Sequence, residues 1–278
     1  MSLMHSGAID SNDGKMFDIR DLTLAYEKVD IIHSLNLQIP KHQITVLIGP
    51  NGCGKSTLLK GLTRLLSPRL GCVYLDGKAI AQYSPQDLAR EVGILQQGSE
   101  ASEGLTVRDL IAQGRYPYQS WWQGEVREDR QKIAQAVELT GLEALCERPL
   151  GHLSGGQRQR AWIAMALAQD PKVLLLDEPT TYLDLSHQLE VLDLLRHLNR
   201  SQERTVVMVL HDLNQACRYA DYLVALKIGR IVARGAPQQI VTPQLVRQVF
   251  EVESQVIADP VTGTPTSFPN RNAHGCPR

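Results

Sequence analysis

The stretch that decides the fold is Gly49-Pro50-Asn51-Gly52-Cys53-Gly54-Lys55-Ser56-Thr57, which follows directly on the apolar run Ile44 to Ile48. It fills the pattern G-x-x-x-x-G-K-[ST], in which glycines let the backbone curl until successive N–H groups point at phosphate oxygens. The helix that begins near Lys55 adds the positive end of its dipole. Lys55 can then reach the outer phosphates, and Ser56 can bind Mg²⁺. The pattern predicts a phosphate-binding loop for a nucleoside triphosphate, with all nine residues contacting the nucleotide.

Three further motifs follow in order along the chain. Leu153-Ser154-Gly155-Gly156-Gln157 precedes an apolar helical run, Asp177-Glu178 ends an apolar strand, and the strand Thr205 to His211 ends in a lone histidine. Taken singly, each has a plain structural interpretation: a turn before a helix, a buried strand and a core histidine. In this order after the phosphate-binding loop they resemble the ABC-type ATPases, and the resemblance covers nearly the whole chain.

The resemblance implies an α/β fold, namely a P-loop ABC ATPase with a RecA-like α/β core, an N-terminal antiparallel β layer and a helical subdomain. The residue patterns agree with it. Continuous apolar runs at 44–48, 173–176 and 206–210 are typical of parallel strands that helices bury on both faces. Alternation of apolar and polar residues at 17–26 and 36–39 predicts half-exposed antiparallel strands.

Helical periodicity at 107–112 and 129–140 marks the place of the helical subdomain, at about residues 98–160. Further along, we expect strands at 222–226 and 231–233 around a turn, and a helix at 243–250. Residues 1–15 are polar and are expected to form a flexible leader, so that residues 16–278 make a single ABC ATPase domain.

Composition excludes several classes of protein. The chain has 278 residues, 43% of them hydrophobic, and a net charge of -1, which argues against a nucleic-acid partner because that affinity needs a basic surface. The longest apolar helical run, Ala161 to Ala168, is far short of the roughly 20 residues of a membrane span. The N-terminus lacks a signal-peptide core, so we expect a soluble chain that stays where it is made. Its five cysteines have no metal-binding spacing and are expected to be reduced.

The carboxylates after the second apolar strand carry the predicted chemistry. Asp177 is placed to hold Mg²⁺ through its water shell, and Glu178 beside it is placed where a water could attack the γ-phosphate. We therefore predict Glu178 as the general base of ATP hydrolysis, with ATP and Mg²⁺ as the ligands. Ser56 and Asp177 are predicted metal ligands, and the resemblance to ABC ATPases adds Gln97 as a third.

Two more catalytic residues come from the resemblance alone. It implies that His211 holds the γ-phosphate and the base in register. It also implies that Gln97 joins the metal site to the helical subdomain and contributes to catalysis. The neighbouring Gln96 occupies a place where proline is commoner in the family, and it is the alternative to Gln97.

Tyr26 ends a strand ahead of the phosphate-binding loop, where its ring could stack on adenine or could simply be a cross-strand aromatic residue. The resemblance implies that Asp184 lies in a loop that crosses to a partner active site. It also implies that Ser154, Gly155, Gly156 and Gln157 contact the ATP held by a second copy, in a head-to-tail dimer.

With one ATPase unit and no membrane span, the chain resembles the motor subunit of a bacterial uptake system. The finer resemblance is to ferric-siderophore importer ATPases, and within them to those for catecholates of the enterobactin or vibriobactin type. The runs that carry it are 114–118, 158–165, 180–188, 211–219 and 258–265. Haem or cobalamin as cargo, an exporter, and an ABC protein outside transport remain alternatives.

The resemblance implies transmembrane permease subunits as partners and, indirectly, a periplasmic or surface siderophore-binding protein. It places the chain on the cytoplasmic face of the inner membrane. The permease contact is expected in the helical subdomain next to Gln97. Four aromatic residues there look exposed and could anchor a permease helix: Tyr116, Tyr118, Trp121 and Trp122. Packing of Tyr116 and Trp121 inside the subdomain is the alternative.

Overall fold

The computed structural model describes residues 14–98, 104–119 and 126–272. Its strands, in chain order, are β1 (Lys15–Tyr26), β2 (Val29–Pro40), β3 (Ile44–Ile48), β4 (Leu70–Leu75), β5 (Lys78–Ala79), β6 (Val92–Leu95), β7 (Val173–Leu176), β8 (Thr205–Val209), β9 (Tyr222–Lys227), β10 (Arg230–Gly235), β11 (Val252–Ala258) and β12 (Pro265–Asn272). Its helices are α1 (Lys55–Leu62), α2 (Pro85–Glu91), α3 (Val107–Gln113), α4 (Arg127–Thr140), α5 (Gly155–Ala168), α6 (Leu185–Gln202), α7 (Leu213–Tyr219), α8 (Pro237–Ile240) and α9 (Pro243–Phe250). Short 3₁₀ turns lie between several of them.

A six-stranded sheet in the order β10-β9-β3-β8-β7-β6 forms the core. Its strands from β9 to β6 are mutually parallel, and β10 joins β9 at one edge in the antiparallel direction. β3, β7 and β8 are wholly buried, as the continuous apolar runs predicted. Because β3, β8, β7 and β6 are neighbours, the loops at their carboxyl ends share one edge of the sheet, which is where ligands bind in open α/β folds.

The antiparallel layer is a second sheet in the order β2-β1-β4-β5. The sequence predicted β1 and part of β2, and it missed β4 and β5, which follow α1. These two strands are short and begin with exposed residues, so their alternation is weak. The long β1 pairs with both β2 and β4, and apolar side chains from this layer pack against α1 and the core sheet.

The helical subdomain consists of α3, α4 and the first turns of α5. α3 and α4 both pack against α5, and their apolar faces include Leu110, Ile133 and Val137. The subdomain therefore shares α5 with the core, and the helix runs to Ala168, beyond the predicted boundary near residue 160.

Several predicted boundaries need correction. β1 begins at Lys15, inside the expected leader, whose residues 1–13 lie outside the described part of the chain. β2 begins at Val29 and is much longer than the predicted strand 36–39, because its early residues lack clean alternation. β6, α2 and the C-terminal hairpin of β11 and β12 were not predicted. The helix Pro243–Phe250 and the strands Ile44–Ile48 and Val173–Leu176 agree with the prediction.

Candidate nucleotide-binding and hydrolytic site

The phosphate-binding loop links the carboxyl end of β3 to α1. Gly49 has a φ of 148°, and a Cβ at this position would lie 2.1 Å from the carbonyl oxygen of Leu226 in β9, so only glycine fits. Gly54, with a φ of 105°, precedes the first residue of α1. The loop thus lies tightly against the sheet and presents the amino end of α1, an arrangement suited to an anion such as a phosphate.

Lys55 begins α1 and is nearly buried, with 5% of its surface exposed. Its ammonium group donates to the carbonyl oxygens of Gly49, at 2.8 Å, and Pro50, at 3.0 Å. The lysine is therefore folded back along the loop, with its charge among the loop's own carbonyl groups. Cys53, which belongs to the same loop, is buried, and burial raises the pKa of its thiol, which opposes a reactive thiolate.

Two of the predicted metal ligands are in direct contact. The Ser56 hydroxyl in α1 donates to the carboxylate of Asp177, the residue directly after β7, at 2.9 Å. Burial raises the pKa of the Asp177 carboxyl above its ordinary value; the neighbouring Glu178 adds to the rise, and the hydrogen bond from Ser56 opposes it. A hydroxyl and a carboxylate are oxygen donors of the kind that Mg²⁺ prefers, so the pair fits that ion.

Glu178 has three side-chain partners. Gln97 Nε2 donates to its Oε2 at 2.6 Å, the Thr181 hydroxyl donates to the same oxygen at 3.0 Å, and His211 Nε2 lies 2.5 Å from Oε1. The residue has a φ of 54°, a left-handed conformation that is uncommon outside glycine and is frequent at functional sites. Both oxygens of this carboxylate are therefore held by side chains from three different loops.

The sheet order explains how these residues meet. Gln97 follows β6, Asp177 and Glu178 follow β7, and His211 follows β8, so adjacent parallel strands deliver all four to the same edge. The Asp177 amide also donates to the Leu95 carbonyl oxygen at 2.8 Å, which joins the ends of β6 and β7. The Gln97 side chain is the one that donates to Glu178, in agreement with the choice of Gln97 at this position.

An open cleft of about 590 Å³ runs over the phosphate-binding loop. Lys55, Ser56, Gln97, Glu178 and His211 all line it. Among the described residues, those lining the cleft include none of the signature residues Ser154 to Gln157.

Tyr26, at the end of β1, also lines the cleft, and 43% of its surface is exposed. The Lys60 ammonium lies 5.8 Å from the centre of the Tyr26 ring and donates to its hydroxyl at 3.4 Å. The ring is thus accessible at the rim of the cleft, and its stacking on adenine stays a prediction. Lys60 and Thr181 are site residues that sequence reasoning did not single out; the position of Lys60 one helical turn after Ser56 was the available signal.

The signature residues begin α5. The Ser154 hydroxyl accepts a hydrogen bond from the Gln157 amide at 3.2 Å, and the Gln157 side chain accepts one from the Ser154 amide at 3.1 Å, which makes a capping box. A Cβ on Gly156 would lie 2.3 Å from the His187 ring in α6. Gly155 lies against Leu183. The signature is therefore packed on the loop that carries Asp184.

Asp184 caps the amino end of α6. Its carboxylate accepts hydrogen bonds from the His187 amide at 3.0 Å and contacts the His187 ring nitrogen Nδ1 at 2.7 Å, and these contacts lower its pKa. The neighbouring Tyr182 and Leu185 are 94% and 68% exposed. The Asp184 loop therefore carries large apolar side chains into solvent beside the signature.

The aromatic residues predicted at the permease contact differ from one another. Tyr116 is exposed, as expected. Tyr118 is half-buried, which corrects the prediction: its ring lies 3.8 Å from the guanidinium of Arg115 and 5.0 Å from that of Arg90, and its hydroxyl donates to Gln169. Trp121 and Trp122 lie outside the described residues.

Residues 32–181, more than half of the chain, match the ABC transporter family. The chain belongs to this family. The match contains the phosphate-binding loop, the signature and the Asp177-Glu178 pair. The predicted α/β fold of an ABC ATPase is thereby confirmed.

Curated relatives of this ABC ATPase are similar over most of its length. It is 55% identical to a protein of Bacillus subtilis named as a probable siderophore transport system ATP-binding protein, over 90% of each chain. It is 51% identical to the iron(3+)-hydroxamate import ATP-binding protein of the same organism, over 88% of this chain and 91% of the relative. It is 49% identical to the ferric enterobactin transport ATP-binding protein of Escherichia coli, over 89% and 92%. The predicted resemblance to siderophore importer ATPases is confirmed.

Solved structures agree with the fold. A chain of an ABC transporter in an inward-facing conformation superimposes with a TM-score of 0.80, at 30% identity, over 92% of this ABC ATPase and 98% of that chain. A dimeric ATP-binding cassette in a post-hydrolysis state, bound to ADP and phosphate, gives a TM-score of 0.70 at 28% identity, over 80% and 98%. In the described part of the present chain, no helix has both the length and the apolar character needed to cross a membrane.

Proposed function

We propose that this ABC ATPase is the motor subunit of a bacterial importer and hydrolyses ATP to drive uptake of a ferric siderophore. The observation that carries the proposal is the meeting of Gln97, Thr181 and His211 on the two oxygens of Glu178, beside a phosphate-binding loop. That arrangement suits phosphoryl transfer to water, in which a protein mainly positions groups and neutralises charge. The relatives named above give the direction of transport and the class of cargo.

In the proposed mechanism, the loop amides and Lys55 hold the phosphates of ATP, and Tyr26 stacks on the base. Glu178 accepts a proton from the attacking water, and Gln97 and His211 keep its carboxylate oriented. Ser56 and Asp177 would hold Mg²⁺, with Gln97 on the same side; the ion supplies charge neutralisation at the phosphate oxygens. A carboxylate held by several donors is already oriented before reaction, which lowers the cost of reaching the transition state.

We infer that hydrolysis takes place in a dimer of two copies. The signature residues lie beside the exposed Asp184 loop and do not line the cleft over their own phosphate-binding loop, so a second copy could present them to the ATP of the first. A similar cassette is dimeric with ADP and phosphate bound. Ser154 and Gly156 at the amino end of α5 suit contact with the terminal phosphate of that nucleotide.

Glu178→Gln tests both the base and the dimer. The amide keeps the size of the side chain and cannot accept a proton, so hydrolysis should fall by at least about 100-fold, the scale of a lost general base. With Mg²⁺ and saturating ATP, the variant should run as a dimer in sedimentation, and without ATP as a monomer. Glu190→Gln, an exposed position on α6, is the matched control and should behave as wild type. A strictly monomeric Glu178→Gln protein would contradict the proposal.

The cargo is proposed to be a catecholate. The ferric enterobactin relative supports this, while the iron(3+)-hydroxamate relative, of similar identity, keeps hydroxamates as the second candidate. Uptake of radioactive iron carried by enterobactin, and separately by a hydroxamate, should be measured in cells with wild-type protein or Glu178→Gln at equal expression. The siderophore whose iron is taken up with wild-type protein but not with Glu178→Gln is the cargo. Normal uptake of both would reject the siderophore assignment and direct the test to haem and cobalamin.

We also propose that the chain works at the cytoplasmic face of the inner membrane, against a permease fed by a periplasmic or surface siderophore-binding protein, and without a nucleic-acid partner. An apolar groove of about 320 Å³ between α1 and α2, lined by Leu65, Leu88, Val92 and Ile94, suits a permease segment. It lies near the exposed Tyr116, because Gln86 of α2 donates to the carbonyl oxygen of Pro117 at 2.8 Å.

Substitution in the groove tests the permease contact. Leu65 is 54% exposed, so Leu65→Glu should fold normally and keep the ATPase activity of the purified chain. Uptake in cells should fall, because a buried carboxylate disfavours the contact. Leu70→Glu, at a 64% exposed position on β4, is the control and should leave uptake unchanged. Equal uptake in the two variants would reject this surface.

A further inference from the structure

Two glutamines that have no role in the proposed chemistry connect the segment of Asp184 with the segment of His211. Gln188 belongs to the run 180–188 and Gln215 to the run 211–219, both of which the sequence singled out by resemblance. In the structure, Gln215 Nε2 donates to Gln188 Oε1 at 2.7 Å. This contact connects α6, which begins after Asp184, with α7, which begins just after His211.

The bridge continues from Gln188 into the Asp184 loop. Gln188 Nε2 donates to the carbonyl oxygen of Leu183 at 3.0 Å. Both ends of the Gln188 amide are thus used, one to receive from α7 and one to hold the residue before Asp184. An amide with both ends engaged has only one orientation that satisfies both partners.

On the other side, the bridge is tied to His211 through α7. The Gln215 backbone amide donates to the carboxylate of Asp212 at 2.7 Å, which caps α7 directly after His211. Asn214, the preceding residue, makes two hydrogen bonds with the backbone of Ser267 in β12, at 2.8 and 3.2 Å. The C-terminal hairpin therefore holds α7 from one side and Gln188 holds it from the other.

These contacts close a ring. From Glu178 the chain runs to Leu183, whose carbonyl oxygen accepts a hydrogen bond from Gln188. Gln188 in turn accepts a hydrogen bond from Gln215 in α7. The chain before α7 leads back to His211, which contacts Glu178 at 2.5 Å. Neither glutamine lines the nucleotide cleft. We propose that Gln188 and Gln215 are positioning residues for ATP hydrolysis, which keep the His211 loop in register with the Glu178 and Asp184 loop. The inference rests on the proposed roles of Glu178 and His211.

Leucine variants test the bridge because leucine is similar in size and cannot form the hydrogen bond. Gln215→Leu and Gln188→Leu should each lower kcat for ATP hydrolysis about five-fold, the effect of losing about 1 kcal/mol of orientation. The KM for ATP should stay within about two-fold of wild type, since neither side chain touches the cleft. The double variant should be no worse than the poorer single variant, because Gln188→Leu alone already removes both hydrogen bonds of the bridge.

Three measurements keep the result decisive. Gln244→Leu, at an exposed position on α9, is the matched control and should retain wild-type kcat. Gln188→Glu replaces the leucine variant if that variant fails to fold. The glutamate side chain stays polar and can still accept from Gln215, but it cannot donate to Leu183, so kcat should again be lower than in wild type. Glu178→Gln, assayed in parallel, reports on the proposed base independently.

The outcomes separate the two proposals. Unchanged kcat in the glutamine variants, additive losses in the double variant, or a rise in KM that accompanies a lower melting temperature would each overturn the positioning role. Hydrolysis that survives in Glu178→Gln would instead overturn the proposed base, whatever the glutamine variants do. Lower kcat at constant KM, with no further loss in the double variant, would establish the bridge.

Discussion

Arg115→Met should strongly destabilise the helical subdomain, because it leaves a buried carboxylate without its cation. Arg115 is 2% exposed, and its Nε donates to the Asp129 carboxylate at 2.7 Å. Its Nη1 also donates to the carbonyl oxygen of Ala168, at the end of α5, at 2.9 Å. One side chain thus joins the segment after α3 to both α4 and α5.

The expected cost follows from what remains after the change. Among the residues that the structure describes, Asp129, 1% exposed, would keep one weak hydrogen bond, from the Val126 amide at 3.3 Å. Breaking a buried ion pair by removing one partner typically costs about 3–5 kcal/mol, because the other charge stays desolvated. That is a large share of the roughly 5–15 kcal/mol that keeps a protein folded. Arg115→Met/Asp129→Leu removes both charges and should cost clearly less than the sum of the single changes.

Urea unfolding of the full chain, followed by circular dichroism, measures these differences. Arg108→Met provides a control, because Arg108 pairs with Glu147 at 2.9 Å on the surface, where an ion pair is worth less than about 1 kcal/mol. If Arg115→Met costs no more than Arg108→Met, or if the double variant costs the full sum, the buried-pair reasoning is wrong.

Three more predictions concern Asp177, Gly156 and Asn214. Asp177→Asn should abolish hydrolysis yet raise the free energy of unfolding of the nucleotide-free protein, because burial disfavours the carboxylate. Because the pKa of Asp177 is raised in the folded state, the wild-type protein loses stability as the pH rises through that pKa. In urea unfolding, the extra stability of Asp177→Asn over wild type should therefore grow over the same pH range. Gly156→Ala places a Cβ 2.3 Å from the His187 ring and should weaken the ATP-dependent dimer of Glu178→Gln in sedimentation, with ATP affinity kept. Asn214→Ala should lower the free energy of unfolding by about 1–2 kcal/mol, measured in urea, since β12 loses two hydrogen bonds; an unchanged value would mean that water replaces them.

Much of the fold could be predicted because its signals are local. The buried strands β3 and β7 are uninterrupted apolar runs, and α9 repeats its apolar residues at helical spacing. Where the local signal is weak, prediction failed: β5 has two residues, and the hairpin of β11 and β12 has few buried side chains. Tyr118 could not be placed from sequence, because its burial depends on Arg90, which lies on another helix.

By itself, the sequence determined that the chain has a phosphate-binding loop, since the turn, its glycines and Lys55 lie within nine residues and need no distant partner. It also determined the family, through the order of the motifs. Only the tertiary structure decided that Asp177 contacts Ser56, and that Gln97 and His211 both contact Glu178. The reason is that the order of strands in the sheet, and not their order along the chain, sets which loops are neighbours. The link from Gln188 to Gln215 is of the same kind: it spans 27 residues and forms because α6 packs against β8 and α7 packs against β3 of the core sheet.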